Sequence, residues 1–204
     1  MIKKEVLKQH YREYGNLPNT WVLNMAKTKM SIVKKVLENL KDFKFNKKVK
    51  VAILGASDKR YIKLHETIFQ KLLKKEIGLK TIDIDLKHLG KGKNLILHNV
   101  TKKFPEKFDI IFSHELMKFL TEKEQFLTIL NSYKALNKNG FAMHIIHEPA
   151  ILGTKELRDW QFKVNPDMLV DKIKKEGISI EKMFFKSNSK VSWLKNTTVL
   201  VLKK

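Results

Sequence analysis

The spacing of hydrophobic positions differs between the N-terminal part of the chain and the rest. Over residues 1–45 apolar side chains recur every three to four positions, which predicts amphipathic helices. We expect a turn at Gly15–Asn19, because glycine, asparagine and proline cluster there. A second helix is expected from Ser31, a candidate N-cap, to about Phe43. The apolar side of these helices is formed by Tyr11, Tyr14, Leu17, Trp21, Val22, Met25, Met30, Ile32, Val33, Val36, Leu37 and Leu40. The basic segment Lys44–Lys50 is expected to be a linker.

Beyond this linker, short apolar runs alternate with helical patterns. Strands are predicted over 49–54, 80–84, 94–98, 108–113 and 141–147. Helices are predicted over 60–76, 115–119, 122–137 and 166–176. This alternation is typical of a mostly parallel sheet with helices on both faces. The end differs, because Ile178–Lys186 and Thr197–Lys203 follow each other across Ser187–Ser189 without a helix, which predicts an antiparallel hairpin.

Composition narrows the class of protein. The 204 residues, 43% of them hydrophobic, suffice for one domain with a full core and a small extension. The sequence contains no apolar run long enough to cross a bilayer, and we expect neither a membrane span nor a signal peptide. It also contains no cysteine, which excludes disulfides, thiolate zinc sites and cysteine nucleophiles. These features predict a cytoplasmic protein.

The net charge of +21 leaves two interpretations open. A basic field of this size attracts phosphates, which makes nucleic acid a natural partner hypothesis. However, only Arg12, Arg60 and Arg158 are arginines among the 42 basic residues, and arginine is preferred for bidentate phosphate and base contacts. Lysines spread along the whole chain are equally typical of an AT-rich codon bias. No nucleic-acid recognition motif is present.

The clearest chemical signal is a glycine turn followed by an acid. The apolar run from Val49 ends in Gly55-Ala56-Ser57, and a second apolar run ends in Asp83-Ile84-Asp85. A buried strand, a tight turn, a helix and an acid at the tip of the next strand form a nucleotide-binding crevice. The turn lets the backbone approach the ligand, and the acid accepts from a ribose hydroxyl. Asp83 is the expected ribose ligand, and Asp85 is expected to be exposed or at a helix start.

Polar residues follow every predicted strand, where ligands of open α/β sheets bind. Loops are polar in general, but the acid spaced after the glycine turn favours a site over that explanation. The residues at these five strand ends are Gly55, Ala56, Ser57 and Asp58; Asp83 and Asp85; His98, Asn99, Val100 and Thr101; Ser113, His114 and Glu115; and His147 and Glu148.

The order of these segments resembles that of class I S-adenosylmethionine-dependent methyltransferases over about residues 49–203. Four segments carry the resemblance: Val51–Ser57 at the glycine-rich loop, Ile82–Asp85 at the ribose-binding acid, Leu97–Thr101 with Phe104–Leu116 at the adenine loop and fourth strand, and Tyr133–Met143 at the helix, turn and fifth strand. The terminal hairpin matches the family's reversed last strand. The resemblance implies a helical cap over residues 1–45, a Rossmann-like methyltransferase domain over 46–204, and S-adenosylmethionine as cofactor.

The resemblance also assigns cofactor-binding residues. They are Gly55, Ala56, Ser57, Asp58, Asp83, Asn99, Val100 and Ser113. Asn99 stands where the family often has an Asp that holds the adenine amine, and its carbonyl oxygen can accept that bond. Asp58 either accepts from the cofactor's ammonium or caps the following helix. Lys59 either faces the methionine carboxylate or is a solvated helix lysine.

The sequence departs from the family in its glycine-rich loop. Ile53 stands where the family usually has an acid, and Ser57 and Lys59 stand at two of its glycines. A Cβ atom at those positions narrows the room for a ligand. A methyltransferase-like protein without catalysis therefore stays an alternative.

Methyl transfer from a sulfonium requires alignment of the acceptor, and a base only where the acceptor must lose a proton. The catalytic candidates are His114, Glu115 and His147, with Glu148 as a further titratable group; for each, a helix cap or a satisfied strand-end side chain is the alternative. His114 is favoured because it follows the fourth strand. The motif for methylation of exocyclic base amines is absent there, and His10, His65 and His88 show no metal-ligand spacing.

The acceptor is expected beneath the N-terminal helices, where Tyr11, Tyr14, Trp21 and Met25, together with Trp160, are candidates to line a lid. A small metabolite is favoured as acceptor because no separate RNA module is visible. Two rivals stay open: an RNA-binding protein or RNA methyltransferase that uses the lysine-rich surface, and a dinucleotide-binding reductase, against which the terminal hairpin argues. The sequence does not determine the oligomeric state.

Overall fold

The computed structural model describes residues 4–40, 43, 45, 47–186 and 196–204. Its helices are α1 (Lys4–Gly15), α2 (Asn19–Asn39), α3 (Arg60–Leu73), α4 (Glu122–Lys134), α5 (Glu148–Leu152) and α6 (Pro166–Lys175), with a 3-10 turn at Met117–Phe119. Its strands are β1 (Lys48–Leu54), β2 (Glu76–Asp83), β3 (Leu95–Leu97), β4 (Phe108–His114), β5 (Leu136–His147), β6 (Ile180–Lys186) and β7 (Asn196–Lys203).

The strands form one sheet in the order β3-β2-β1-β4-β5-β7-β6. β1 pairs in parallel with both β2 and β4, and β4 pairs in parallel with β5. β7 runs antiparallel between β5 and β6, which confirms the predicted mostly parallel sheet with an antiparallel C-terminal pair. The predicted turn Ser187–Ser189 lies outside the described residues.

Both faces of the sheet are buried. Val49, Val51 and Ile53 of β1 point to a core that also contains Val33 and Val36 of α2. Ala52 and Leu54, at the alternate positions, belong to the core on the other face, where α4 and α6 pack. Strands buried on both faces read as continuous apolar runs, which explains why β1 is easy to identify in the sequence.

Helix α2 has two roles in the fold. Its C-terminal half packs into the sheet core through Ile32, Val33 and Val36. Its N-terminal half carries Val22 and Met25, which cluster with Tyr61 of α3.

The division of the chain into a helical cap over 1–45 and a sheet domain over 46–204 stays a prediction. In the described part of the chain, no helix has the length and apolar content that crossing a membrane requires.

Several predicted boundaries are wrong. The expected helix start at Ser31 lies inside the continuous helix α2, because no breaker residue interrupts the buried positions there. The helix predicted to reach 76 ends at Leu73, since Lys74 adopts a left-handed conformation with φ of 52°. β2, predicted to begin at residue 80, begins at Glu76 and includes Ile77 and Leu79, which alternate with more exposed positions. β5 begins at Leu136, inside the predicted helix 122–137, and α5 was not predicted.

Candidate active site

A cavity lies at the carboxyl ends of β1, β2 and β4, where the strand order reverses. Open α/β sheets bind their ligands at such a point. The predicted residues that line it are Gly55, Ala56, Ser57, Asp83, Asn99, Val100, His114 and Glu115. Three predicted residues, Asp58, Ser113 and His147, are not part of the lining. The sheet topology thus brings together strand ends that are far apart in the sequence.

Asp83 ties the tip of β2 to the glycine turn. Its Oδ2 accepts a hydrogen bond from the Ala56 N–H at 3.0 Å, and its Oδ1 accepts from the Asp85 N–H at 3.0 Å. The Tyr11 hydroxyl of α1 also donates to Oδ1, at 3.3 Å. Burial raises the pKa of Asp83, while the hydrogen bonds from Ala56 and Asp85 and the nearby His88 act in the opposite direction. The carboxylate is therefore held in place at the cavity wall.

The glycine turn needs its first residue to be glycine. Gly55 has φ of +73°, and its N–H donates to the Ile82 carbonyl at 2.8 Å. A Cβ at this position would lie 3.2 Å from Leu116 Cδ1. The departure at Ser57 is accommodated differently, because Ser57 Oγ lies 3.2 Å from His10 Nε2 of α1. The space next to Ser57 is thus occupied by a side chain from the N-terminal helix.

The loop after β3 is shaped by an Asx turn. Asn99 Oδ1 accepts from the Thr101 N–H at 2.9 Å and from the Thr101 hydroxyl at 2.8 Å. Asn99 and the buried Val100 both line the cavity, as expected. The predicted bond from an adenine amine to the Asn99 oxygen stays a prediction, and it would compete with these two internal bonds.

Asp58 lies at the start of α3. Its Oδ1 accepts from the Arg60 N–H at 2.8 Å, and its Oδ2 accepts from Arg60 Nε at 2.7 Å within an ion pair with the same guanidinium. Lys59 is the N-cap residue of α3, so Asp58 bonds to the first helical turn from one position before the cap, and its contact with the cofactor's ammonium stays a prediction. Lys59 is exposed, which matches the solvated alternative.

Arg60 connects α3 to the turn between α1 and α2. Its Nη1 donates to the Leu17 carbonyl at 2.8 Å and to Asn19 Oδ1 at 2.7 Å, and its Nη2 donates to the Tyr14 carbonyl at 3.0 Å. A planar guanidinium makes these divergent bonds together, which the single ammonium of lysine cannot do.

We expect Arg60→Ala to release α1 from the cavity while the sheet stays folded. The reason is that the substitution removes the guanidinium that donates to the Leu17 and Tyr14 carbonyls of the α1–α2 turn. Backbone amides of α1 should then exchange with solvent roughly tenfold faster or more, as measured by hydrogen exchange with mass spectrometry. Arg12→Ala is the matched control, because Arg12 is an exposed arginine on α1 itself. Unchanged exchange of α1 in Arg60→Ala would contradict this role.

The bend after β4 is fixed by an ion pair. Glu115 has a positive φ of 60°, an uncommon conformation for a side chain of this size. Its Oε1 accepts from the His147 N–H at 2.7 Å, and Lys118 Nζ lies 2.6 Å from its Oε2. Burial alone would raise the pKa of Glu115, but Lys118 and His147 outweigh it and hold that pKa below its usual value. The charges of Glu115 and Lys118 thus neutralise each other within the site.

His114 and His147 are hydrogen-bonded to each other. Their Nε2 atoms are 3.0 Å apart, and His147 Nδ1 lies 2.9 Å from the Thr197 hydroxyl of β7. Burial lowers the pKa of both rings, and the positive charge of Lys29 acts in the same direction, so both are neutral at pH 7. Only His114 reaches the cavity, with His147 behind it as a supporting group.

Two further predicted residues, Ser113 and Glu148, have hydrogen-bond partners outside the cavity lining. Ser113 Oγ lies 2.8 Å from His144 Nδ1, and both side chains are fully buried. The Glu148 carboxylate, at the start of α5, accepts from Asn196 Nδ2 at 2.9 Å. Neither pair lines the cavity.

Several cavity residues on helices were not predicted from the sequence. They are His10 on α1, Lys29 on α2, Tyr61 and His65 on α3, and Lys118 in the 3-10 turn. A signal exists for two of them, because Lys29 follows Met25 and precedes Val33 at four-residue intervals, and His65 follows Tyr61 at the same interval. Both therefore fall on apolar helix faces.

The roof of the cavity is aromatic. The cavity is lined there by four predicted lid residues, Tyr11, Tyr14, Trp21 and Met25. Trp160 does not line the cavity, but its ring centroid lies 5.9 Å from that of His10, which does. In the described part of the chain no three histidine or acidic side chains are arranged to hold a metal ion.

The comparisons with known proteins identify the fold. No protein-family model matches the sequence, and no curated protein matches it. Several solved structures resemble this chain over most of its length. A methyltransferase from Archaeoglobus fulgidus is 14% identical, with TM-score 0.60 over 90% of this chain and 99% of that one. A TehB-like methyltransferase from Corynebacterium glutamicum is 16% identical, with TM-score 0.60 over 97% and 99%.

A further similar structure was solved with its cofactor. Magnesium protoporphyrin IX methyltransferase from Synechocystis, with bound S-adenosylmethionine, is 10% identical, with TM-score 0.56 over 89% of this chain and 81% of that one. The resemblance noted in the sequence is thus confirmed at the level of the fold. This chain has the Rossmann-like fold of class I S-adenosylmethionine-dependent methyltransferases.

Proposed function

We propose that this chain transfers the methyl group of S-adenosylmethionine to a small-molecule acceptor. The observation that carries the proposal is the buried Asp83 carboxylate at the cavity wall, bonded to the Ala56 N–H of the glycine turn. This juxtaposition of turn and acid lies at the point where the strand order reverses. Solved structures similar to this chain include S-adenosylmethionine-dependent methyltransferases.

The residues present fit an adenosyl cofactor. Asp83 would accept from the ribose hydroxyls, because a carboxylate has about four acceptor sites and the protein uses three of them, one from the displaceable Tyr11 hydroxyl. The turn at Gly55 and Ala56 would hold the methionine part close to the backbone, and Asn99 with Val100 would hold the adenine. When bound, the cofactor supplies a methyl group already activated by its sulfonium.

The chain's own residues would then position the acceptor. Glu115 and Lys118 fix the bend that presents His114 to the cavity. A neutral His114, supported by His147, would hold an O–H or N–H group of the acceptor by a hydrogen bond. For an acceptor that loses a proton, His114 would accept it and His147 would stabilise the ring.

A small acceptor is favoured because α1 and α2 cover the cavity with aromatic side chains. The similar Synechocystis structure, magnesium protoporphyrin IX methyltransferase, also supports a small acceptor. A nucleic-acid partner through the lysine-rich surface stays a prediction, as does a cytoplasmic location.

Calorimetric titration of the chain with S-adenosylhomocysteine, in parallel with NADH, tests the proposal. We expect a dissociation constant in the micromolar range for S-adenosylhomocysteine and no binding of NADH. Methyl transfer from labelled S-adenosylmethionine to a panel of phenols, amines and carboxylic acids, with total tRNA alongside, then tests the acceptor class. NADH binding without S-adenosylhomocysteine binding would favour the reductase alternative. Label found only in tRNA would contradict a small acceptor.

A further inference from the structure

A lysine is buried at the cavity without an acidic partner. Lys29 is 6% exposed and lines the cavity from α2. Its Nζ lies 3.3 Å from His65 Nε2 and 3.8 Å from the centroid of the Tyr61 ring. Among the ion pairs of the described residues, none includes Lys29. Lys118, the other cavity lysine, differs because it is paired with Glu115.

A buried ammonium group without a counter-charge is unfavourable, because it loses its hydration and gains no Coulomb attraction in return. The aromatic face of Tyr61 offsets only part of this loss. The adjacent His65 contributes a second unsatisfied group, since its Nδ1 is buried and has no hydrogen-bond partner. A ligand that brings a negative charge into the cavity would stabilise Lys29 most directly.

We propose that Lys29 and His65 form a carboxylate-binding site inside the cavity. This inference rests on the proposed function, because the carboxylate belongs either to the methionine part of the cofactor or to the methyl acceptor. The neighbouring walls, formed by Trp21, Met25 and Tyr61, are apolar and aromatic. An aromatic carboxylate is therefore a suitable probe of the acceptor side.

The site should respond to pH near neutrality. Burial lowers the pKa of Lys29 to about 7. The titratable groups near it are Tyr61 and His65 from α3, His114 from β4 and His147 from β5, and none of them is a carboxylate. Because only the protonated amine attracts a carboxylate, affinity should fall by roughly tenfold or more between pH 6.5 and 8.5. An ordinary solvent-exposed lysine would produce no change in that range.

The test uses two pairs of ligands that differ in the carboxylate. The first pair is S-adenosylhomocysteine and 5′-methylthioadenosine, which lacks the amino-acid part. The second pair is benzoate and its neutral counterpart benzamide, titrated with and without S-adenosylhomocysteine. Lys29→Met removes the charge at similar volume, Lys29→Gln is the second variant, and Lys27→Met, exposed on the same helix, is the control. Thermal melting checks that each variant is folded.

We expect Lys29→Met to weaken one of the two carboxylate ligands at least tenfold at pH 6.5 and to leave its neutral counterpart unchanged. A loss confined to S-adenosylhomocysteine assigns the site to the cofactor, and a loss confined to benzoate assigns it to the acceptor. Equal affinities of wild type and Lys29→Met for both carboxylates, or no carboxylate binding by wild type, would overturn the inference. Benzoate binding that depends on Lys29, without any binding of either nucleoside, would overturn the proposed function and retain the site.

Discussion

Replacing Asp83 by alanine should lower the affinity for S-adenosylhomocysteine at least about 100-fold. The ribose would lose two hydrogen bonds to a charged acceptor, each contributing roughly 1.5–3 kcal/mol, and each 1.4 kcal/mol changes affinity tenfold. The substitution also leaves the N–H groups of Ala56 and Asp85 without their acceptor, so the glycine turn itself would loosen. Isothermal calorimetry on the purified variant measures the effect directly.

Asp85→Asn is the matched control for this loss. Asp85 lies two residues away and does not line the cavity, and among the described residues its carboxylate accepts from the Lys87 N–H at 3.0 Å. Its variant should bind S-adenosylhomocysteine within about twofold of wild type. If Asp83→Ala retained wild-type affinity, Asp83 would not be the ribose ligand, and the cofactor would have to bind elsewhere in the cavity.

The protein should lose much of its stability between pH 6.5 and 5, because it buries neutral histidines. Burial lowers the pKa of His10 to about 3 and that of His144 to about 3, from an unfolded value of 6.5. The unfolded chain therefore binds protons that the folded chain cannot, and stability falls as pH drops below 6.5. At pH 6.5 each ring is already half protonated in the unfolded chain, so the two rings together cost about 3 kcal/mol between pH 6.5 and 5 at 1.36 kcal/mol per unit. Burial of His65 and His114 acts in the same direction.

Urea denaturation at pH 7.5, 6.0 and 5.0 measures this dependence. The carboxylates with a lowered pKa, such as Glu115, lose their contribution only below their unfolded value of 4.5, so the two pH ranges are separate. His144→Asn is the informative variant, since it removes one buried ring and retains a polar group near Ser113. The variant should lose less stability on acidification than wild type. A free energy of unfolding that stays constant from pH 7.5 to 5.0 would refute the prediction.

The alternation of elements was predictable from local patterns. Apolar runs such as β1 are buried on both faces, and a right-handed crossover through a helix leaves few topologies for them. The hairpin was predictable because no helical pattern separates its strands. Boundaries were less predictable at Leu136, where β5 begins inside a helical pattern, since an apolar residue there satisfies either periodicity.

The residues of the candidate site also fall into a group that was predictable from the sequence and a group that was not. The sequence by itself determined the residues at the strand ends, such as Gly55, Asp83 and His114, because a parallel sheet brings all of its carboxyl ends to one edge. Only the tertiary structure decided that Lys29 meets His65, that His147 supports His114 from behind, and that Tyr11 contacts Asp83. These pairs depend on which helix faces pack together, and helix periodicity specifies a buried face without specifying its partner.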